Sequence, residues 1–398
     1  MTVRADVAVD AGTVMTRIAV ARPGSEPAIS SLPSARAGRG SFVADVLREA
    51  IGGLNGSAGR ACVAVPDSWL DGDVGGAAAH EAMRHAVEYD IGRAITWVGQ
   101  MSAVAALAAE DPELAGSGEC LVCDVGGTGV RAGLFDISGR IVRPICVAGS
   151  DGGGWADLDA AIRSAPGMDA DELPADWFAS ARHQRAGLLL KQAKADPGYR
   201  DAPVYSFPGR DGVRDVTAGW LLDHFEPAVK RIRALIADVV GQHSPATAVL
   251  AGGMATFPPV AEVVADGAGV APAVLGADAA VRGALSVASG TVTLQEILLP
   301  PVSLPAHEVR GGLLVERRLP LPWPAPPEGD AEVPLVLADQ ALTVDVDGAL
   351  QTVHLPDFAP GPYRIRIRPG GHGRALLVLR PDFGAGQPAL ICPFDLER

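Results

Sequence analysis

Three short segments of the sequence combine glycine with acidic or hydroxyl side chains at the ends of apolar runs. "VDAGT" supplies Asp10, Gly12 and Thr13. "CDVGGTG" supplies Asp124, Gly126, Gly127 and Thr128. "LAGGMATF" supplies Gly252, Gly253 and Met254. The chemistry open to such a set is phosphate binding. Glycine lets backbone N–H groups approach phosphate oxygens closely, and the threonine hydroxyls add hydrogen bonds. A carboxylate at a strand end suits hydrated Mg²⁺, a hard ion that prefers oxygen and keeps its waters, which makes Asp10 and Asp124 the candidate metal residues. Gly252-Gly253 removes side chains where an adenosine ring can lie against a helix start. Taken singly, each segment reads as an ordinary tight turn. All three in this order, each after a strand, specify far more.

The elements that must position these residues alternate between strand and helix from Asp6 to about Gly290. Asp6–Asp10 and Arg17–Ala21 read as a hairpin, Ser41–Ile51 as a short helix, Arg60–Val65 as a strand ended by Pro66, Ala78–Tyr89 as an amphipathic helix and Ala94–Val98 as a strand. Ser102 is positioned to cap the next helix. Asp176 is the expected cap of a helix reaching Ala195. Thr217 is that of a long helix with Trp220, Leu221, Phe225, Val229, Ile232, Ile236 and Val239 on one face. Thr247–Ala251 reads as a buried strand and Pro258 as a helix start. The expected fold class is therefore α/β, with two similar hairpins pointing to two duplicated lobes. After Gly290 the pattern changes to short alternating segments: Gly312–Arg317, Val333–Leu337, Leu342–Val346, Leu350–Leu355, Tyr363–Arg368, Ala375–Leu379 and Ala389–Cys392. Asp347-Gly348 is a strong hairpin signal, and the proline-rich run Leu319–Gly329 reads as a rigid loop. A small sandwich-like β-domain is expected here.

Composition narrows the function classes. The chain has 398 residues and a net charge of −14, which opposes nucleic acid and acidic membranes as partners. No apolar run approaches the roughly 20 residues needed to span a bilayer, and no signal pattern opens the sequence. The 5 cysteines are scattered, which fits reduced thiols and a cytoplasmic location. Cys120 and Cys123 lie within one strand and point to opposite faces.

The three glycine segments, in this order and context, resemble the actin, sugar-kinase and heat-shock-chaperone ATPase superfamily, and most of all the DnaK-type heat-shock chaperone family. Further stretches carry the likeness. "CVAVPDSWL" resembles the family's V-T-V-P-A strand, and "GGGWADLD", with Gly153 and Gly154, its G-G-x-D-F-D turn. "HEAMRHAVEYDIGRAITWVGQMSAVAALA" resembles its helix, strand and E-P-T-A-A-A helix, and "DAAVRGALSVASG" its closing helix. The likeness covers about residues 5–290. Beyond it, Leu298, Leu299 and the P-V-S-L stretch resemble the family's apolar linker and first substrate-domain strand. The resemblance implies a duplicated two-lobe actin-like ATPase domain over 1–290, an apolar linker over 291–302, and a β-rich domain over 303–398 that is a reduced substrate domain without a helical lid. It also implies ATP or ADP with Mg²⁺ as ligands, bridging the two hairpins, and a polypeptide client or regulatory protein as partner.

Departures from the family bear on mechanism. The family glutamate that helps place the attacking water falls on Gln100, which can orient water but cannot accept its proton. The lysines are Lys191, Lys194 and Lys230, so the family's first-lobe lysine has no counterpart, and Arg36 or Arg39 are its candidate substitutes. In "HQRAGLLLK", Arg185 matches the adenosine helix, whereas Gln184, Gly187 and Leu188 do not. Gln100, Asp10 and Asp124 are the candidate catalytic residues of, at most, a slow ATPase. Three readings follow: an ATP-gated polypeptide binder, a non-hydrolysing scaffold of the same fold, and a sugar-kinase-like phosphotransferase. The kinase ranks last because Gln100-Met101-Ser102 offers no carboxylate base.

Overall fold

The structure is a computed structural model. It describes residues 5–12, 14–34, 39–52, 58–70, 74–91, 95–115, 118–165, 183–209, 212–295, 300–323, 332–356, 358–370, 374–382 and 389–396. Two compact units emerge. One comprises Met1–Gln100, Val287–Ser289 and Glu296–Arg398, and the other Met101–Ser286 and Gly290–Gln295.

In the first unit, strands β1 (Ala5–Ala11), β2 (Met15–Ala21) and β3 (Ala28–Pro33) form an antiparallel meander. Helix α1 (Arg39–Gly52) leads to β4 (Ala58–Val65), and α2 (Val74–Ile91) leads to β5 (Thr96–Gly99). The order is β3-β2-β1-β4-β5, with β4 parallel to both β1 and β5. Alternation along β1 decides its faces. Val7, Val9 and Ala11 join Val43, Leu47, Val63 and Val87 in one core, which puts Asp10 on the opposite face. Helix α3 (Gln100–Ala108) follows β5 directly. Ser102 thus lies inside the helix rather than capping it, because the chain passes from strand to helix with no polar residue between.

In the second unit, β6 (Gly118–Val125), β7 (Gly129–Ser138) and β8 (Ile141–Asp151) form another antiparallel meander. Then come α4 (Trp155–Arg163), α5 (His183–Ala195), the hairpin of β9 (Pro203–Gly209) and β10 (Gly212–Thr217), and α6 (Ala218–Val240). The chain continues with β11 (Thr247–Ala251), α7 (Pro258–Ala268), β12 (Ala273–Gly276), α8 (Ala279–Ser289) and β13 (Thr293–Leu294). The order is β12-β11-β6-β7-β8-β13, and β11 is parallel to β6 and β12. Both sheets therefore use one pairing pattern: a meander whose first strand is extended by two parallel strands. The Thr217 hydroxyl caps α6 by accepting from the Trp220 N–H at 3.2 Å, and the apolar stripe from Leu221 to Val239 is buried against the sheet. Phe225 meets Phe257, just ahead of α7, edge to face with ring centroids 5.0 Å apart, a geometry worth about 0.5–1.5 kcal/mol beyond burial.

The remaining strands belong to the first unit. They are β14 (Val302–Arg310), β15 (Leu313–Leu321), β16 (Val333–Leu337), β17 (Ala341–Val346), β18 (Ala349–His354), β19 (Gly361–Gly370), β20 (Arg374–Pro381) and β21 (Leu390–Asp395). They form two four-stranded sheets, β15-β14-β17-β18 and β16-β19-β20-β21, which share a core of Leu304, Val344, Tyr363, Ile365, Ile367 and Leu377. Asp347 and Gly348 both take positive φ, 47° and 88°, in the β17–β18 turn, as a two-residue hairpin requires. Leu319–Leu321 of the proline-rich run is strand rather than loop. Pro320 is tolerated there because β15 is an edge strand and gives up no ladder bond.

The outer face of the second of these sheets packs on α2. Ala77 of α2 joins Leu376 and Ile391 in a small apolar cluster. Around it lies a buried ionic network. Glu81 pairs with Arg366 and, at 3.4 Å, with Arg84. Arg84 also reaches Glu88 at 2.7 Å and Glu332 at 2.9 Å, and Arg380 pairs with Glu332 at 2.6 Å. Arg368 donates to His80 Nδ1. Burial and the neighbouring charges of Arg368, Arg366 and Arg84 hold His80 well below the ordinary histidine range, so it is neutral at pH 7. Among the described residues no helix is long and apolar enough to cross a membrane.

Candidate functional site

The sequence-derived residues fall into two groups, one in each unit. In the second unit, three glycine segments interlock through backbone hydrogen bonds. Within the β6–β7 turn, the Gly126 N–H donates to Gly129 O at 3.0 Å. The segment before α4 closes on that turn: Trp155 N–H reaches Gly126 O at 3.3 Å, Ala156 N–H reaches Gly127 O at 2.9 Å, and Gly152 N–H reaches Thr128 O at 2.8 Å. The segment after β11 joins through Met254 N–H to Val125 O at 3.0 Å. Asp157 Oδ2 accepts from the Gly153 N–H at 2.7 Å. Asp124, Gly126, Gly127, Thr128, Gly153, Gly154, Gly252, Gly253 and Met254 are thus brought together.

Not all these glycines are there for the same reason. Gly252 has φ +94°, and a Cβ there would lie 2.5 Å from Val125 O. At Gly154 a Cβ would lie 2.6 Å from Gly126 O. Both are required by the chain's own close approach. At Gly126 and Gly253 the nearest atoms to a built Cβ are 3.7 Å and 3.9 Å away, ordinary contact distances that demand no glycine. Among the described residues, no acceptor takes the N–H of Gly127 or Gly253. Open space beside bare amides is what a phosphate needs, so these loops fit a phosphate group. Thr128 is exposed and Asp124 partly so.

In the first unit, Asp10 is almost fully buried at the end of β1. Gln100, the first residue of α3, donates from Nε2 to Asp10 Oδ1 at 2.6 Å. Arg17, directly opposite Asp10 in the β1–β2 ladder, brings Nη1 within 3.6 Å of Oδ2. Burial raises the Asp10 carboxyl above the usual carboxylate range, and the Gln100 hydrogen bond and the Arg17 charge oppose that rise. The Gly12 turn is also closed. A Cβ there would collide with Met15 O, and Ser34 Oγ donates to Gly12 O at 2.7 Å. Asp10 and Gln100, assigned from far-apart segments, do touch. With its oxygens engaged by Gln100 and Arg17, Asp10 fits a hydrated metal ion poorly.

Arg17 is the site residue that sequence reasoning passed over. The hairpin register carried the signal, since a two-strand pairing that starts from Ala11 and Thr16 sets Arg17 across from Asp10. Thr13 and Arg36 lie outside the described residues, as do the side chains of Arg39 and Arg185, the latter on α5. Leu298 and Leu299 of the expected linker also lie outside them. The residues just before form β13, parallel to β8, with Gln295 N–H donating to Val142 O at 2.8 Å. Cys120 and Cys123 are buried, and burial raises both thiols. Among the described residues no cluster of three or more His, Cys, Asp or Glu side chains forms a metal cage. No protein-family model matches the chain, and no curated protein matches it as a relative.

Proposed function

We propose that the chain is an ATP-binding, chaperone-like protein of the actin and heat-shock ATPase plan, with slow or no hydrolysis. In this reading its two α/β sheets are a duplicated pair, and the strands from β14 to β21 form a reduced substrate domain for a polypeptide partner. The observation that carries it is the convergence of three glycine segments around the bare amides of Gly127 and Gly253. The shared pairing pattern of the two sheets supports it further. Slow turnover is expected because Gln100 stands where a carboxylate would orient and deprotonate water, and Asp10, the nearest carboxylate to it, is engaged by Arg17. Loss of one such electrostatic contact costs on the order of a hundred- to a thousandfold in rate. The test is calorimetric titration of the full chain with ATP and with ADP, with phosphate release followed in the same samples. Micromolar binding with turnover far below one per second is expected. Absence of nucleotide binding sinks the reading.

One observation favours a second reading, a non-hydrolysing scaffold. The network of Glu81, Arg84, Arg366 and Glu332 fastens the C-terminal strands to α2 with buried charge, which suits a fixed arrangement as well as a gated one. Limited proteolysis near residues 294–302 with and without ATP separates the two. A nucleotide-dependent pattern supports gating, and an identical pattern supports the scaffold.

A further inference from the structure

Strands β14 and β15 pair along their whole length, from Val302–Leu321 to Arg310–Leu313, but β14 pairs with β17 only through Val302 and Ser303. The far half is thus a two-stranded ribbon, and every residue from Val309 to Arg318 is exposed. Val309 and Leu314 lie opposite each other on one face, 71% and 69% exposed, and Leu313 and Val315 lie on the other, 71% and 43% exposed. A ribbon of two strands is marginal in water, and one that is apolar on both faces gains from a third strand. The turn shows which edge offers it. Gly311 and Gly312 take φ 59° and 82°, a two-residue turn that closes on a hydrogen-bonded pair, Arg310 and Leu313. Alternation from there turns the backbone groups of Leu314, Glu316, Arg318 and Pro320 to the outer edge of β15. On β14 it turns those of Pro305, His307 and Val309 outward, and Pro305 has no N–H to give. Among the described residues no strand pairs with the outer edge of β15.

We propose that the outer edge of β15 is the interface with a second copy of this chain, the two β15 strands pairing antiparallel about a two-fold axis at Arg317. Charge complementarity selects that occupant. In this register Glu316 faces Arg318 of the second copy, and Arg318 faces Glu316 of the second copy. Asp345 holds Arg318 in place and leaves its side chain 68% exposed. On the other face, Leu313 and Val315 fall beside Leu321 and Leu319 of the second copy, the two residues through which β15 joins the core of its sandwich. Each ribbon tip therefore extends the apolar inner face of the other copy. Arg317 meets its equivalent on the axis, and each is answered by Glu308 of its own β14 at 3.3 Å. A slide of two residues either way is the smallest that keeps N–H facing C=O. It sets Glu316 against Glu316 or Arg318 against Arg318, and like charges directly opposite are unfavourable. The interface is isologous, so it closes at a dimer. It holds whether or not the chain binds nucleotide.

The experiment is sedimentation equilibrium of the full chain over a range of concentrations. A monomer–dimer equilibrium is expected. Glu316→Arg should weaken the dimer at least about tenfold, because it sets two like-charged pairs across the interface. Glu316→Arg combined with Arg318→Glu exchanges the charges and should restore it. Arg317→Cys reads the register directly. Residues opposed in a non-hydrogen-bonded antiparallel pair have Cα atoms about 4.5 Å apart, within disulfide range. Mild oxidation should therefore link position 317 of one copy to position 317 of the other, identified by mass spectrometry, whereas Leu314→Cys should not link to itself. A chain that stays monomeric up to about 100 µM overturns the proposal. So does a dimer that Glu316→Arg leaves intact and that Arg317→Cys does not cross-link, since its interface then lies elsewhere. The cross-link decides the matter even if Glu316→Arg does not fold.

Discussion

The two units use their polar groups differently. In the first, charge is turned inward: Asp10 is engaged by Gln100 and Arg17, and Glu81, Glu88 and Glu332 are tied to arginines at the α2 interface. In the second, the corresponding turn and the segment after β11 leave the backbone amides of Gly127 and Gly253 without protein acceptors among the described residues. Two sequence segments that look alike, Asp-x-Gly-Thr and Asp-x-Gly-Gly-Thr, therefore do different physical work. One holds a carboxylate and a guanidinium in register. The other leaves backbone donors without a protein acceptor among the described residues. A glycine motif does not by itself say whether the chain or a ligand needs the glycine; the neighbours of the missing Cβ decide.

The largest expected effect tests the inward-turned charge. Glu81→Ala strips Arg366, almost wholly buried, of its carboxylate. Leaving one partner of a buried pair uncompensated costs about 3–5 kcal/mol. The contrasting variant is in the second unit. Glu226 pairs with Lys230 at 3.8 Å with both side chains more than half exposed, so Glu226→Ala should change stability by only about 0.5 kcal/mol. Urea unfolding of both variants compares them. Equal losses would mean that the α2 network does not hold the first unit together.

Next in size is a pair of glycines within the second unit. Gly252→Ala forces a Cβ against Val125 O in a backbone with φ +94°, and strain of that kind costs about 1–3 kcal/mol before any clash is counted. Gly126→Ala meets nothing closer than 3.7 Å and should shift stability by about 0.5 kcal/mol or less. If the proposed nucleotide site is correct, affinity for ATP should respond in the opposite sense: a Cβ at Gly126 would crowd the phosphate and weaken binding about tenfold, or 1.4 kcal/mol. Thermal melts and calorimetric titration on the same samples read both. If Gly126→Ala binds ATP like the wild type, the turn is structural after all.

How much of this could be read from sequence depended on whether the signal was local. Helix α6 was legible because Thr217 caps it and its apolar residues recur at helical spacing; so were Pro258 and Asp347-Gly348. The mixed α/β character followed from the same cues. Strand β3 was not legible, since all of Ala28–Pro33 is exposed and an exposed edge strand shows no alternation. Alternation did not reveal strand β14, because Pro305, His307 and Glu308 interrupt its apolar residues; only its start, the P-V-S-L stretch, was marked, and by resemblance. At α3 a cap was sought at Ser102, whereas the helix starts at Gln100 straight from β5. At the site, the three glycine segments were visible and Arg17 was not, because its role depends on the residue across the ladder. The α2 network was beyond reach for a similar reason. Arg364, Arg366 and Arg368 alternate visibly along β19, but nothing in the sequence says that Glu81 and Arg84 lie opposite.

The smallest expected effect is a pH dependence confined to the first unit. His80 is fully buried, accepts from Arg368 at Nδ1, and meets the Trp97 ring edge to face at 4.9 Å. Burial and the charges of Arg368, Arg366 and Arg84 depress its pKa in the folded chain, while the unfolded chain titrates near the ordinary value of about 6.5. The contribution to stability is therefore complete above about pH 6.5 and is lost as pH falls toward the folded pKa, because the unfolded chain then binds a proton that the folded chain refuses. The slope can reach about 1.4 kcal/mol per pH unit. Asp10 acts with the opposite sign: its raised pKa makes the folded chain the better proton acceptor above about pH 3.8, so acidification restores stability there. The wild-type profile alone mixes the two. His80→Gln separates them, since its side-chain carbonyl can still accept from Arg368 but cannot titrate. The difference in unfolding free energy between wild type and His80→Gln should shrink or reverse between pH 7.5 and 5.5 in favour of the variant. A difference that is flat across that range would mean that His80 takes up its proton equally in the folded and the unfolded chain, and the assignment of the α2 network would have to be redrawn.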